Sequence, residues 1–163
     1  MKVGIATTLK GTLIVGARAF PGNPYDGHTL AETLEQVGIL TGTDRPPATA
    51  IVDKGYRGVK VEGVRILMSG QKRGITRTLK AMIKRRSAIE PAIGHMKMDG
   101  RLGRNPLKGA LGDALHAVMC GAGHNMRMLL RKLRLLCAQF GLNLQTVLQA
   151  ISLSQRTNYG VVV

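Results

Sequence analysis

The chain of 163 residues is long enough for one domain with one ordinary core, and its 44% hydrophobic content excludes an intrinsically disordered chain. Its 24 Lys and Arg residues outnumber its 9 Asp and Glu residues, which gives a formal net charge of +15. A charge this large on a small chain predicts a polyanionic partner, and it favours nucleic acid over an anionic membrane surface.

The positive charge is concentrated in the second part of the chain. Residues 1–60 have a net charge of +2, whereas residues 61–163 have a net charge of +13. The densest segment, residues 72–108, contains eleven basic residues against Glu90 and Asp99. Such a run is often only a solvated face, but its size and one-sidedness favour phosphate binding.

No segment predicts export or membrane insertion. Apolar runs fall short of the roughly 20 residues that a membrane helix requires. The N-terminal run is interrupted by Thr7, Thr8 and Lys10 before a signal-peptide core forms. Cys120 and Cys137 lack metal-type spacing and are interpreted as buried thiols in a reducing cytoplasm.

The first part of the chain predicts three strands and one helix. Residues 2–8 and 12–19 predict a hairpin, because Lys10-Gly11 between them suits a tight turn. A helix begins near Asp26 or His28 and is weakened near its end by Gly38, and residues 48–52 form a short buried strand.

The second part predicts one more strand followed by helices. Residues 64–68 read as a strand, and residues 76–98 as a helix that Pro91 breaks, bends or restarts near Ser87. A long amphipathic helix covers residues 111–136, with a possible division at Gly121-Gly123, and residues 138–155 add a possible short helix. The order of strands and helices predicts an α/β fold.

Asp53 and Glu90 are the candidate chemical residues. Asp53 follows a buried strand, where open α/β sheets bind ligands, and its carboxylate suits Mg²⁺ or Mn²⁺; the alternative is a cap for the next turn. Glu90 shares a helix face with Arg86 and Lys97, as a metal-dependent phosphoryl-transfer site requires. The alternatives for Glu90 are a capping box with Ser87 and an ordinary ion pair with Arg86.

The four histidines carry no metal-ligand spacing. His28, His95, His116 and His124 lack a pattern such as H-E-x-x-H, and each is interpreted as a surface or structural residue. The sequence also contains no P-loop, no Gly-x-Ser-x-Gly turn and no Cys–His nucleophile arrangement.

Three segments together resemble a known family. They are PGNPYDGHTL (21–30), IVDKGYRG (51–58) and RRSAIEPAIGHMKMDGRLGRN (85–105). In this order they resemble bacterial insertion-sequence transposases of the DDE type, in the branch with a Tyr-x2-Arg-x3-Glu-x6-Lys signature. Arg86, Glu90 and Lys97 have the required spacing, whereas Ile83 stands at the Tyr position.

The resemblance implies a ribonuclease-H-like mixed sheet flanked by helices, with C-terminal helices after it. Asp53 matches the family's second Asp, and Glu90 matches its Glu. Three carboxylates in the complete enzyme hold two Mg²⁺ or Mn²⁺ ions, which drive an in-line displacement at phosphorus. DNA of the transposon ends and target is the implied partner, and the protein is expected in the cytoplasm, associated with the nucleoid. The residues expected near that DNA are Lys84, Arg85, Arg86, Lys97, Arg101 and Arg104.

The sequence departs from the family pattern at its N-terminus. The family's first Asp lies on a first strand, and the segment resembling KVGIATT (2–8) corresponds to the second. We therefore expect residues 1–137 to be a partial catalytic core and residues 138–163 a tail. Alone, the chain is expected neither to cut nor to join DNA. The protein partners considered are a second copy of the chain, in a homo-oligomer, and a complementing N-terminal fragment. The alternative is a basic DNA-binding remnant without chemistry; an RNA-binding basic protein is disfavoured, because aromatic residues are only 3% of the chain.

Overall fold

The computed structural model describes residues 1–43, 45–71, 74–139 and 146. The chain divides into two compact units, Met1–Asn125 and Met126–Val163. The elements in chain order are β1 (Lys2–Thr7), β2 (Ile14–Phe20), α1 (Asp26–Thr41), β3 (Thr49–Val52), β4 (Arg65–Met68), α2 (Arg77–Arg85), α3 (Ile89–Met98) and α4 (Gly109–Gln139). This order confirms the predicted α/β class.

Strands β1 and β2 form the predicted antiparallel hairpin. Ile5 pairs with Ala17, and the register shifts by a bulge between Ala6 and Thr7. The turn contains Gly11 at a φ of 85°, a conformation that glycine adopts without a steric penalty. The hairpin therefore follows from its turn residues, as the sequence predicted.

Strands β3 and β4 form a separate parallel pair. Thr49 lies opposite Arg65, and Val52 lies opposite Met68. Among the described residues, the four strands make two two-stranded sheets rather than one continuous sheet. Both sheets belong to the first unit, and the described residues do not form the single mixed sheet that the resemblance implies.

Helices cover the two faces of the hairpin. Helix α1 packs closely against one face, at the positions of two glycines. A Cβ atom added at Gly4 would lie only 2.9 Å from the Thr33 hydroxyl oxygen, and one added at Gly16 would lie 3.0 Å from a Val37 methyl group. On the opposite face, a buried cluster joins strand residues to the helices after β4; it contains Ile14, Ala17, Met96, Leu102, Ala117 and Cys120. A second cluster packs α1 against β3 and consists of Leu30, Leu34, Ala50 and Val52.

The helices after β4 differ in part from the sequence prediction. The segment predicted as a helix over residues 76–98 is interrupted by a 3₁₀ turn at Arg86–Ala88, and Pro91 lies in the first turn of α3, where its missing N–H costs nothing. The possible division at Gly121-Gly123 is wrong, because α4 continues through it. Gly121 faces Ile14 and Ala17, so the absent side chain gives β2 room to approach the helix.

The structure describes the C-terminal region only in part. Most of the possible helix at residues 138–155 lies outside the described residues. In the second unit, α4 presents leucines that are half exposed or more, among them Leu129, Leu130, Leu133 and Leu135. Across the described residues, no helix has both the length and the apolar character needed to cross a bilayer.

Candidate functional site

Asp53 lies where the sequence placed it, immediately after β3. One carboxylate oxygen accepts hydrogen bonds from the Lys54 backbone N–H at 2.7 Å and from the Ser69 hydroxyl at 3.1 Å. Asp53 therefore caps the 3₁₀ turn Lys54–Tyr56, which confirms the capping alternative. Capping leaves the second carboxylate oxygen available for another partner.

The environment of Asp53 keeps its carboxylate ionised. The hydrogen bond from the Lys54 backbone lowers the pKa of Asp53 most, and the Ser69 hydroxyl lowers it further. Burial opposes this shift, and the smaller effects of the Arg86 and Lys54 charges lower the pKa again, so the net shift of the Asp53 pKa is downward. Asp53 is therefore a negatively charged oxygen donor throughout the neutral pH range.

Arg86 connects the two candidate carboxylates. Its Nη2 atom lies 3.0 Å from Oδ2 of Asp53, and its Nη1 atom lies 3.6 Å from Oε1 of Glu90. The Arg86 side chain is only 22% exposed, whereas Glu90 is 70% exposed. The 3₁₀ turn at Arg86–Ala88 positions this guanidinium between the end of β3 and the first turn of α3.

The structure decides between the two local interpretations of Glu90. The Ser87 hydroxyl donates to the Lys84 carbonyl at 2.9 Å, and α3 begins after Ala88 without a side-chain cap. The capping box with Ser87 is therefore wrong. The i,i+4 ion pair between Arg86 and Glu90 is confirmed.

A cleft adjoins this group of charges. It has a volume of about 1250 Å³ and is lined by β1, β3, one face of α1 and parts of α2 and α3. Asp53, Arg85, Arg86 and Lys97 all line it, so the structure brings these predicted residues to one cavity. The other predicted DNA-contacting residues are exposed on α2 and in the loop after α3; they are Lys84, Arg101 and Arg104.

The fit of a metal ion to these residues is incomplete. Mg²⁺ requires about six oxygen ligands, and Asp53 and Glu90 would supply the protein's share with water completing the shell. Asp26, the first residue of α1, also lines the cleft, where it pairs with Lys2. Among the described residues, however, no three His, Cys, Asp or Glu side chains are close enough to hold an ion together. The two carboxylates that Arg86 bridges therefore do not form a complete ion site by themselves among the described residues.

Ser69 is a site residue that the sequence analysis missed. It follows β4 as Asp53 follows β3, and the C-terminal ends of neighbouring parallel strands lie side by side. That relationship places the Ser69 hydroxyl within hydrogen-bonding distance of Asp53. A search for polar residues after each predicted strand would have found it.

His116 and Cys120 of α4 contact the loop after α3. His116 is buried with Nε2 3.1 Å from the Arg101 carbonyl, and the Cys120 thiol donates to the Gly100 carbonyl at 3.0 Å. These contacts join the loop after α3 to α4. Cys120 is buried as predicted, whereas Cys137 is only half-buried.

Comparison with known proteins gives no match. No protein-family model, curated protein or solved structure matches the chain. The functional argument therefore depends on the residues and their geometry.

Proposed function

We propose that the chain is part of the catalytic core of a DDE-type transposase, which binds DNA and contributes Asp53 and Glu90 to a metal-dependent phosphoryl-transfer site. The observation that carries the proposal is the pairing of both carboxylates with the single guanidinium of Arg86. Two carboxylates from separate elements share one cation, as ligands of a common ion would. The signature spacing of Arg86, Glu90 and Lys97 supports the same assignment.

The chemistry requires acidic oxygens beside a phosphate-binding surface. Asp53 is ionised and Glu90 is exposed, so both are able to act as oxygen donors. Mg²⁺ or Mn²⁺ held there would polarise a phosphoryl oxygen and activate the attacking hydroxyl. Arg85 and Lys97 line the adjoining cleft and are suited to hold phosphate oxygens of DNA.

The ribonuclease-H-like fold is part of this proposal. In such a core, by the resemblance, a further central strand carries the first Asp. The two half-sheets and the cleft between them are compatible with this arrangement. Because two carboxylates hold two ions poorly, we expect the chain alone to bind DNA without cutting or joining it.

A paramagnetic titration tests the site directly. Mn²⁺ added to the folded chain should broaden the amide resonances of Asp53, Ser69 and Glu90 before others. The effect should be lost in the double variant Asp53→Asn/Glu90→Gln and retained in Asp99→Asn, whose carboxylate pairs with His95 instead. Equal broadening in the parent and the double variant would contradict the proposed site.

The second candidate is a basic DNA-binding remnant without chemistry, favoured by the net charge of +13 on residues 61–163. It predicts DNA affinity that falls steeply with salt, no preferred Mn²⁺ site and no response to Asp53→Asn. Robust Mg²⁺-dependent cleavage of transposon-end DNA by the chain, abolished by Glu90→Gln, would exclude the remnant and refute the expected inactivity.

A further inference from the structure

His116 and Cys120 lie one turn apart on α4, next to the loop that follows α3 (residues 99–108). The Cys120 sulfur lies 3.6 Å from Nε2 of His116. The two residues are i and i+4 on one helix, the spacing that places the two histidines of H-E-x-x-H on one zinc ion. A search that treats histidines and cysteines separately misses this pair, because one ligand of each type shares the helix face.

The separation of the two atoms fits a tetrahedral metal ion. Zinc binds a thiolate sulfur at about 2.3 Å and an imidazole nitrogen at about 2.0–2.1 Å. At the tetrahedral angle, two such bonds hold the sulfur and the nitrogen about 3.5 Å apart. The structure has the Cys120 sulfur and the His116 nitrogen 3.6 Å apart. Both ligands therefore reach one ion without a change in their separation.

Two backbone carbonyls of the loop lie beside the pair. The Gly100 oxygen is 3.0 Å from the Cys120 sulfur, and the Arg101 oxygen is 3.1 Å from Nε2 of His116. A carbonyl only accepts hydrogen bonds, so the thiol and Nε2 carry the hydrogens in these contacts. An ion that replaces those two hydrogens is surrounded by sulfur, nitrogen and oxygen donors.

The loop is held in place by contacts other than these. Leu102 is buried in the cluster with Met96 and Ala117, and its N–H donates to the Met96 carbonyl at 3.0 Å. Arg101 has a φ of 56°, which a residue with a side chain adopts only where surrounding contacts hold it. The loop carbonyls are therefore positioned before an ion binds, which lowers the entropy cost of forming a site.

The ligand types select a soft ion rather than the hard ions of the phosphoryl-transfer proposal. Thiolate and imidazole ligands favour Zn²⁺ and chemically similar ions, whereas Mg²⁺ and Mn²⁺ favour carboxylate and water oxygens. His116 is 8% exposed and Cys120 is 6% exposed, so the pair is shielded from bulk water. In the described part of the chain, no third His, Cys, Asp or Glu side chain joins them to make a larger ligand group. Carbonyl oxygens and water therefore supply the remaining ligands.

From this geometry we infer that the Cys120–His116 pair and the two loop carbonyls bind one soft divalent ion of the Zn²⁺ type. On binding, the Cys120 thiol loses its proton to solvent, the imidazole proton of His116 moves to Nδ1, and metal–sulfur and metal–nitrogen bonds form. The ion joins the loop to α4, and this loop carries Arg101 and Arg104, two of the residues expected near DNA. The inference does not depend on the proposed phosphoryl transfer, because the two sites share no ligand.

Co²⁺ binding to the untagged chain tests the site. Cys137→Ser serves as the parent, so that Cys120 is its only thiol. A thiolate bound to Co²⁺ gives a charge-transfer absorption band in the near ultraviolet, which imidazole and carboxylate ligands alone do not give. We expect this band to saturate at one Co²⁺ per chain and to disappear when Zn²⁺ displaces Co²⁺. An excess of Mg²⁺ should leave the band unchanged.

Conservative variants of each ligand separate metal binding from folding. Cys120→Ser replaces the sulfur by oxygen and should abolish the band. His116→Gln keeps a side-chain donor for the Arg101 carbonyl and should weaken Co²⁺ binding by at least about tenfold, since even outer-shell partners of a metal site contribute about 10–100-fold. His95→Gln is the matched control, because this exposed histidine pairs with Asp99, and it should change neither the band nor the affinity.

Zn²⁺-induced NMR shifts in the parent locate the ion without any ligand substitution. The amides of the loop and the ring of His116 should shift together, whereas the amides of Asp53 and Glu90 should stay in place. The N–H groups of Leu102 and Arg104, which donate within this region, should exchange more slowly because the ion fixes the loop against α4.

Several outcomes would overturn the inference. They are a Co²⁺ complex without the thiolate band, a band retained in Cys120→Ser, and a band that saturates at one ion per two chains, which indicates a site between copies. Zn²⁺ shifts confined to Asp53 and Glu90 would overturn it in favour of a single oxygen-donor site. Failure of the Mn²⁺ titration would leave this result intact, because the two experiments detect different ligands.

Discussion

The guanidinium of Arg86 lies 3.0 Å from the carboxylate of Asp53, although the two residues are separated by more than thirty positions in the chain. The contact joins the end of the parallel strand pair to the turn between α2 and α3. It occupies the carboxylate oxygen that capping leaves available, and it extends to Glu90. A cation is therefore already present where the proposed metal ion would bind, and the two would compete for Asp53.

Removing the Arg86 charge should strengthen divalent-ion binding. In Arg86→Gln, the repulsion between guanidinium and ion is lost, so the affinity for Mn²⁺ should rise several-fold by electron paramagnetic resonance titration. Arg85→Gln is the matched control. It also removes one positive charge, but the Arg85 side chain has no described ion pair with Asp53. An equal rise in both variants would show a general charge effect rather than competition at Asp53.

Replacing Ser69 should shift the titration of Asp53. Loss of the hydroxyl in Ser69→Ala removes one cause of the lowered pKa, so the pKa of Asp53 should rise toward its ordinary value in a carboxyl-carbon NMR titration. Ser87→Ala, whose hydroxyl bonds to Lys84 instead, should leave it unchanged.

The same group makes a small, pH-dependent contribution to stability. The pKa of Asp53 is lowered in the folded state, so its stabilisation is complete above the unfolded-state pKa and is lost as pH falls through the folded-state value. The stability difference between the parent and Asp53→Asn should therefore shrink below about pH 4. Because Asp53 is half exposed, a difference of about 0–1 kcal/mol is expected at neutral pH.

Alanine substitutions at two methionines of α3 should change the free energy of unfolding by very different amounts. Met96 is fully buried in the cluster with Ile14 and Ala117, whereas Met98 is 81% exposed. Met96→Ala should reduce the free energy of unfolding by about 2–5 kcal/mol in urea titrations, because it removes packing and leaves a cavity. Met98→Ala should change it by less than about 0.5 kcal/mol. Equal effects would contradict the packing of α3 against the hairpin.

Asn125 should contribute to stability through the edge of β2. Asn125→Ala leaves the N–H and C=O of Ile14 without their side-chain partner, at a cost of about 1–3 kcal/mol for each buried group left unpaired. Asn125→Asp keeps the acceptor and loses the donor, so its free energy of unfolding should be intermediate. Asn23→Ala, in an exposed loop, is the control and should be neutral. No loss in Asn125→Ala would show that water replaces the amide at this edge.

The local elements were predictable, because each has a local cause. The hairpin follows from its turn residues, β3 from a β-branched apolar run, and the break between α2 and α3 from Pro91 and its neighbours. The continuity of α4 through Gly121 was not predictable, because packing against Ile14 and Ala17 outweighs the low helix propensity of glycine.

The residues of the candidate site were predictable from the sequence, but the contacts between them were not. Asp53, Arg86 and Glu90 were found from position and spacing, but the pairing of Arg86 with Asp53 depends on how β3 and the turn after α2 meet in space. The Ser69 hydroxyl bonds Asp53, and the side-chain amides of Gln36 and Asn125 bond the backbone of β2. These contacts join different elements of the fold, so no periodic pattern in the sequence predicts them.

The last prediction concerns the stability of the isolated chain. Among the described residues, β1 pairs only with β2 and β3 only with β4, so each strand keeps one unpaired edge, which favours pairing with other chains over a stable monomer. We expect a low-temperature, broad thermal transition by circular dichroism and light scattering that grows with protein concentration. A cooperative thermal transition at high temperature by a monomer would show that the unpaired edges do not destabilise the chain.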